Sequence, residues 1–146
     1  MHYLDTSYLL KIYACEHGST DVAAWMHGRS HFVCAQHGRL EVLTGLKRHQ
    51  REGRIDARGF RQMFVQLEAD EKKRLIEWLP VTSSLIEAAC RATAALPPAV
   101  FLRAADALHL ACASDAGLKE IYSHDRHLLA AAPHFGLRGI DVIKSP

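Results

Sequence analysis

Apolar and polar positions alternate in blocks along the chain, and the blocks predict its elements. Tyr3 and Leu4 stand directly before Asp5, Thr6 and Ser7, with Leu9 and Leu10 following. This predicts a very short strand over residues 2–4 running straight into a helix from about Thr6 to Glu16. Gly18 and Ser19 break that helix, and "TDVAAWMHG" makes a second short one. "HFVCA" (31–35) is a continuous apolar run of strand length, hence a second buried strand. From Gln36 to His49, Leu40, Leu43 and Leu46, with Val42, recur at helical spacing, and the pattern ends near Gly53.

The second half continues the alternation. A longer helix over Asp56 to about Lys73 carries Phe60, Phe64 and Leu67 beside a charged face, with Asp56 as a capping residue. "WLPV" (78–81) is too short to define a strand by itself. Thr82 or Ser83 can cap a helix through Leu96, which Pro97 and Pro98 stop. A further helix spans about Leu102 to Ser114 and ends by Gly117. "EIYS" (120–123) is a strand, His127 to Ala132 a brief helix, and "GIDVI" (139–143) the last strand. Strands alternating with helices predict an α/β fold with a mostly parallel sheet covered by helices.

A chain of 146 residues with 49% hydrophobic positions is about one domain long and able to bury a core. With no repeat, low-complexity tract or linker, one domain over residues 1–146 is expected. No stretch approaches the ~20 apolar residues of a membrane span, so a cytoplasmic protein is the default expectation. The four cysteines form no CxxC pair, and Cys34, Cys90 and Cys112 lie in apolar or alanine-rich runs that suggest buried thiols. Lysine and arginine total 18 against 16 acidic residues, a balance that neither requires nor excludes nucleic acid. No glycine-rich phosphate loop is present, which leaves NAD and P-loop nucleotide functions without support.

The candidate chemistry lies in four acids. In an open α/β sheet, ligands gather beyond the carboxyl ends of the strands. Asp5 follows the first strand and Asp125 follows "IYS", so both are expected on that rim. Glu41 and Asp106 sit inside otherwise apolar helical stretches, where an isolated carboxylate needs a partner, a metal or solvent. Converging carboxylates repel, and a divalent cation removes the repulsion; oxygen donors point to Mg²⁺ or Mn²⁺ rather than zinc. His124 and His127 alone supply too few ligands for a zinc site. Each acid also has a plainer reading: Asp5 and Asp125 as helix caps, Glu41 and Asp106 on a solvent face.

The four stretches "YLDTSYLLKIY", "RLEVLTGL", "LRAADALHLACA" and "IYSHDRHLLAAAPHFGL", in this order, resemble the PIN-domain family, and within it the VapC toxin branch of toxin–antitoxin ribonucleases. The resemblance implies a three-layer α/β/α fold in which Asp5, Glu41, Asp106 and Asp125 gather around one or two Mg²⁺ ions, with Mn²⁺ as the alternative. It implies hydrolysis of RNA phosphodiesters by metal-activated water, without a histidine base or covalent nucleophile. Thr6, Ser7 and Ser123 then fall beside the ligands, and His109, three residues past Asp106, either bonds a ligand carboxylate, contacts phosphate, or has a structural or solvent-facing role. Partners implied are an RNA substrate, a VapB-like antitoxin and a second copy in a homodimer. The lead-in "CAQHGRLE" departs from the Ser/Thr-rich pattern common in relatives, with Gln36, His37 and Gly38 in its place.

Lys47, Arg48, Arg51 and Arg54 form a compact basic run, while Arg103 and Arg126 flank two of the acids. These side chains can guide phosphates without reading bases, although a solvated helix end explains the run equally. Trp25, Met26, Phe60 and Phe64 can supply apolar surface to a partner or belong to the core. Two other readings compete: a noncatalytic RNA-binding or scaffolding module, and another metal-dependent phosphohydrolase. "LDTS" lacks the second Asp two positions after Asp5, which argues against an aspartyl-phosphate route.

Overall fold

The computed structural model describes residues 1–144. In chain order it contains β1 (His2–Leu4), α1 (Thr6–Tyr13), α2 (Ser19–Met26), β2 (Phe32–Ala35), α3 (Gln36–Arg51), α4 (Ala57–Lys72), β3 (Ile76–Leu79) and α5 (Ser83–Ala94). There follow α6 (Ala104–Asp115), β4 (Glu120–Tyr122), α7 (Arg126–Ala131), a 3₁₀ turn (Ala132–Phe135) and β5 (Arg138–Ile140). The strands form one sheet in the order β3-β2-β1-β4-β5, with every pairing parallel.

Alternation along β1 sends Tyr3 to one face and Leu4 to the other, as the strand pleat requires. On one side Tyr3, Val33 and Ile121 pack with α5, α6 and α7 through Leu85, Leu110 and Leu128. On the other, Leu4, Phe32, Cys34 and Ile76 pack with α1 to α4 through Leu9, Val22, Leu46 and Leu67. The result is the expected three-layer α/β/α arrangement, with both sheet faces dry.

Helix starts follow the caps the sequence carries. Asp56 Oδ1 accepts from Gly59 N at 2.7 Å to open α4, and Thr82 Oγ1 accepts from Leu85 N at 3.2 Å to open α5. Elsewhere the boundaries move. Helix α1 ends at Tyr13 rather than Glu16, because Ala14 is extended and the next residues fold back. Lys11 Nζ donates to Glu16 Oε1 and His17 O, while Ser19 Oγ donates to Ala14 O. The stretch 76–79 is a full strand on β2; Pro80, with no N–H to donate, ends it. Strand β5 stops at Ile140 instead of reaching 143, since Asp141 turns back to accept from Ile143 N and Tyr8 Oη.

One expectation about side chains needs revising. Cys34 and Cys112 are buried, but Cys90 is exposed on α5, the alanines around it marking a thinly covered helix rather than an interior one. Tyr8 and Tyr13 are buried and bonded to Asp141 and Asp70, as packing residues of α1. Among the described residues no helix is long and apolar enough to cross a membrane.

Helices α1 and α3 cross closely at Gly45. A Cβ there would lie 2.7 Å from both methyl carbons of Leu10, so contact at this crossing depends on the missing side chain. Gly45→Leu should therefore force the two helices apart and destabilise the protein by about 1–3 kcal/mol or more. A lowered urea midpoint at unchanged m-value would register this.

Candidate functional site

Strand order reverses between β1 and β4, and the candidate site opens there, beyond the strands' carboxyl ends. Asp5 is the first residue past β1, its backbone N donating to Tyr122 O across the gap at 3.0 Å. Asp5 is only 4% exposed, and both its carboxylate oxygens accept hydrogen bonds. Oδ1 accepts from Ser7 Oγ at 2.6 Å and Tyr8 N at 3.2 Å, and Oδ2 accepts from Ser123 Oγ at 2.7 Å. Asp5 thus caps α1 and faces the site at once, so the two readings of it coexist. These donors use three of a carboxylate's roughly four lone-pair directions. Burial nevertheless wins, and the Asp5 carboxyl is held above the usual carboxylate range.

The serines that grip Asp5 also fix the loop after β4. Ser7 Oγ accepts from His124 N and Ser123 Oγ accepts from Asp125 N, both at 2.9 Å. Asp125 then caps α7, its Oδ1 accepting from His127 N at 2.7 Å and Leu128 N at 3.2 Å. Its other oxygen lies 3.7 Å from Arg103 Nη1.

Helix α3 carries Glu41 to the same place and α6 carries Asp106. Asp5, Glu41, Asp106 and Asp125 together line a depression of about 420 Å³, along with Thr6, Ser7, His109, Arg48 and Arg51. Asp106 is the least compensated acid. Its Oδ2 is buried with no hydrogen-bond partner. Burial, and then the Asp125 charge, push its carboxyl up, against the pull of Arg103. An orphaned buried oxygen among four carboxylates is a donor set that suits a hard divalent cation. Glu41 behaves oppositely. Burial raises it, but His109 and Thr6 outweigh burial and hold it below the usual carboxylate range.

Behind the acids lies a polar column that sequence reading left incomplete. Ala35 N donates to Tyr3 Oη at 2.9 Å, Tyr3 Oη pairs with His109 Nδ1 at 2.9 Å, and His109 Nε2 meets Glu41 Oε2 at 2.8 Å. Thr6 Oγ1 donates to the same Glu41 oxygen at 2.6 Å. With Glu41 ionised and able only to accept, Nε2 carries the proton in this contact. His109 is 1% exposed, so it is no solvent-facing residue. It fits because residue 38 is glycine: a Cβ there would lie 2.5 Å from Cys34 Sγ and 3.1 Å from His109 Cε1.

His37 adds a second imidazole, its ring centroid 4.2 Å from that of His109. His37, Glu41 and His109 form a cluster able to coordinate a divalent metal, each offering a ligand atom within 4.8 Å of the others. The expectation of an all-oxygen donor set omitted these nitrogens. The usable signal was the four-residue interval from His37 to Glu41, which puts both on one face of α3.

The basic residues divide. Arg48 and Arg51 line the depression with the acids. Lys47 turns away, its Nζ 3.9 Å from the Phe60 ring centroid, and lines a separate apolar hollow with Leu43, Phe60 and Phe64. Arg103 reaches Asp125, while Arg126 is exposed and bonded to His127. Trp25 and Met26 pack against the α1–α4 core, Trp25 lying over Tyr122 at 4.2 Å between centroids.

The sequence profile of the PIN domain matches residues 2–133. No curated protein matches this sequence significantly. Among solved structures, the Mycobacterium tuberculosis toxin VapC20, described as cleaving the sarcin-ricin loop, aligns at 18% identity with a TM-score of 0.71. That alignment covers 90% of this chain and 95% of the toxin. FitAB, solved bound to an IR36 DNA fragment, aligns at 13% identity and a TM-score of 0.72 over 100% of this chain and 98% of the other. PAE2754 from Pyrobaculum aerophilum aligns at 20% identity and a TM-score of 0.61, covering 97% and 90% respectively. At these identities the likeness is one of fold.

Because the Asp106 carboxyl is raised in the folded protein, this group binds its proton more readily in the native state than in the unfolded chain, and its contribution to stability falls as pH rises past the normal carboxyl value of 3.8. Asp106→Asn should accordingly show a higher Tm than the wild type at pH 7 in EDTA. The gain should shrink as pH is lowered through the raised carboxyl value towards 3.8, as scanning calorimetry across that range will show.

Proposed function

The chain belongs to the PIN-domain family, and from that premise we propose that it is a divalent-metal-dependent endoribonuclease acting as the toxin of a toxin–antitoxin pair. The observation that carries this reading is the convergence of Asp5, Glu41, Asp106 and Asp125, drawn from four separate elements, on one open depression. Asp5, Asp106 and Asp125 are the direct ligands in this reading, and Glu41 is a ligand or water-positioning group. Mg²⁺, or Mn²⁺ in its place, supplies Lewis-acid stabilisation of phosphoryl charge and a nucleophilic water at neutral pH.

The chain's own residues supply position and charge. Ser7 and Ser123 fix both oxygens of Asp5 where it lines the depression. Thr6 and His109 hold one oxygen of Glu41 inward, leaving Oε1 for the site. Arg48 and Arg51 line the same depression, where guanidinium groups can bind phosphates of a single strand lying across the acids. Arg103, beside Asp125, Arg126, next in sequence to it, and Lys47, near Arg48 on α3, are weaker candidates for further phosphate contacts. No side chain here is placed as a covalent nucleophile.

One domain over residues 1–146, an RNA substrate, a VapB-like antitoxin and a homodimer complete the proposal. The VapC20 and FitAB likenesses support it as precedents for the fold among toxin and nucleic-acid-bound proteins. Screening a defined RNA library with Mg²⁺ or Mn²⁺ tests the reading. Cleavage should stop with EDTA and fall by at least about 10²-fold in Asp5→Asn and Asp106→Asn, the size typical of lost electrostatic stabilisation. Equal cutting by carefully purified Asp106→Asn would refute the assignment.

A further inference from the structure

We infer that His37, Glu41 and His109 form a second cation site that takes a borderline transition-metal ion such as Zn²⁺ or Co²⁺, and that filling it suppresses the acidic site with which it shares Glu41. Its occupancy stands apart from the ribonuclease reading; only its effect on cleavage rests on that reading.

Donor chemistry separates the two sites. Carboxylate oxygens suit Mg²⁺, whereas two imidazoles and a carboxylate, with positions left for water, suit zinc and its neighbours. The three groups come from two helices and meet at one atom: His109 Nε2 lies 2.8 Å and His37 Nε2 3.8 Å from Glu41 Oε2. Glu41 and His37 share a face of α3, which sets their approach, and α6 brings His109 beneath them.

At His109 the surroundings suit an ion. Metal-bound histidines have their second nitrogen held by an outer partner, and Tyr3 Oη sits 2.9 Å from His109 Nδ1 for that purpose. A neutral His109 can move its proton from Nε2 to Nδ1, which then donates to Tyr3 Oη, freeing the Nε2 lone pair with no net proton change. Thr6 Oγ1 keeps Glu41 Oε2 in place during the exchange. On His37, Nε2 donates to Ala105 O at 3.2 Å and Nδ1 is buried without a partner, so moving the ring proton to Nδ1 frees Nε2 for an ion at the expense of that one bond. Gly38 provides the space for the His109 ring, against which the His37 ring lies tilted at 4.2 Å between centroids.

Sharing Glu41 couples the sites. An ion on Oε2 draws the carboxylate's charge inward and sets a positive charge beside Asp5 and Asp106, so a divalent cation there is repelled. His37 lies outside the acidic cluster, and its removal leaves the acids intact.

Titration of the full chain with Co²⁺, followed by visible absorption, tests the site directly. One equivalent should produce d–d bands that excess Mg²⁺ does not erase. The bands should disappear in His37→Gln and persist in Asp106→Asn. Absence of bands in the wild type, their survival in His37→Gln, or a near-UV thiolate band from exposed Cys15 or Cys90 would overturn the proposal. Zn²⁺ should inhibit Mg²⁺-dependent RNA cleavage, and His37→Gln should require at least about tenfold more Zn²⁺ for equal inhibition. Identical Zn²⁺ sensitivity would overturn the coupling. A wild type that cuts no RNA would overturn the ribonuclease reading, while the Co²⁺ spectra still decide the cation site.

Discussion

Asp5 is taken out of water between β1 and β4, and a carboxylate in that position must be held by donors or neutralised. Three donors do the holding, and each belongs to a different structural task. Tyr8 N starts α1, Ser7 Oγ reaches across to His124 N, and Ser123 Oγ orders the turn that presents Asp125. The first acid is therefore also the bolt joining the central strand to its neighbour's exit loop. The charge that remains after these bonds is what an approaching cation meets.

The acids are not equivalent, and their environments explain why. Glu41 is held ionised by His109 and Thr6, while Asp106 is pushed towards protonation by burial and by Asp125. One carboxylate is prepared in advance; the other is left uncompensated. Such contrast between neighbouring titratable groups is common where a site is prepared for a charged ligand. The imidazoles of His37 and His109 sit at the prepared end, which gives the depression a nitrogen-rich corner and an oxygen-rich one.

Much of this was legible in the residues. The α/β order, the caps at Asp56 and Thr82, and the shared rim of Asp5 and Asp125 follow from local patterns that act over a few residues. What escaped was set by contacts distant in sequence. Ile76–Leu79 becomes a strand because β2 offers an edge, not because its own pattern alternates. The inward turn of His109 depends on Tyr3 and on the missing Cβ of Gly38, more than seventy positions away. Lys47 and Arg48 are adjacent in the chain, yet one goes to an aromatic ring and the other to the acids, a choice helical geometry makes and composition does not.

The central strand has a further consequence for biosynthesis. Asp5 leaves the ribosome 118 residues before Ser123, the donor that completes its hydrogen bonding. Until β4 emerges, β1 lacks one of its two neighbours, and the acids of α6 and the final loop have nothing to converge upon. A nascent chain stalled before residue 120 carries Asp5, Glu41 and Asp106 but lacks Asp125 and the Ser123 donor. The parallel topology thus delays assembly of the pocket until most of the polypeptide has been made, a timing built into strand order rather than into any inhibitor.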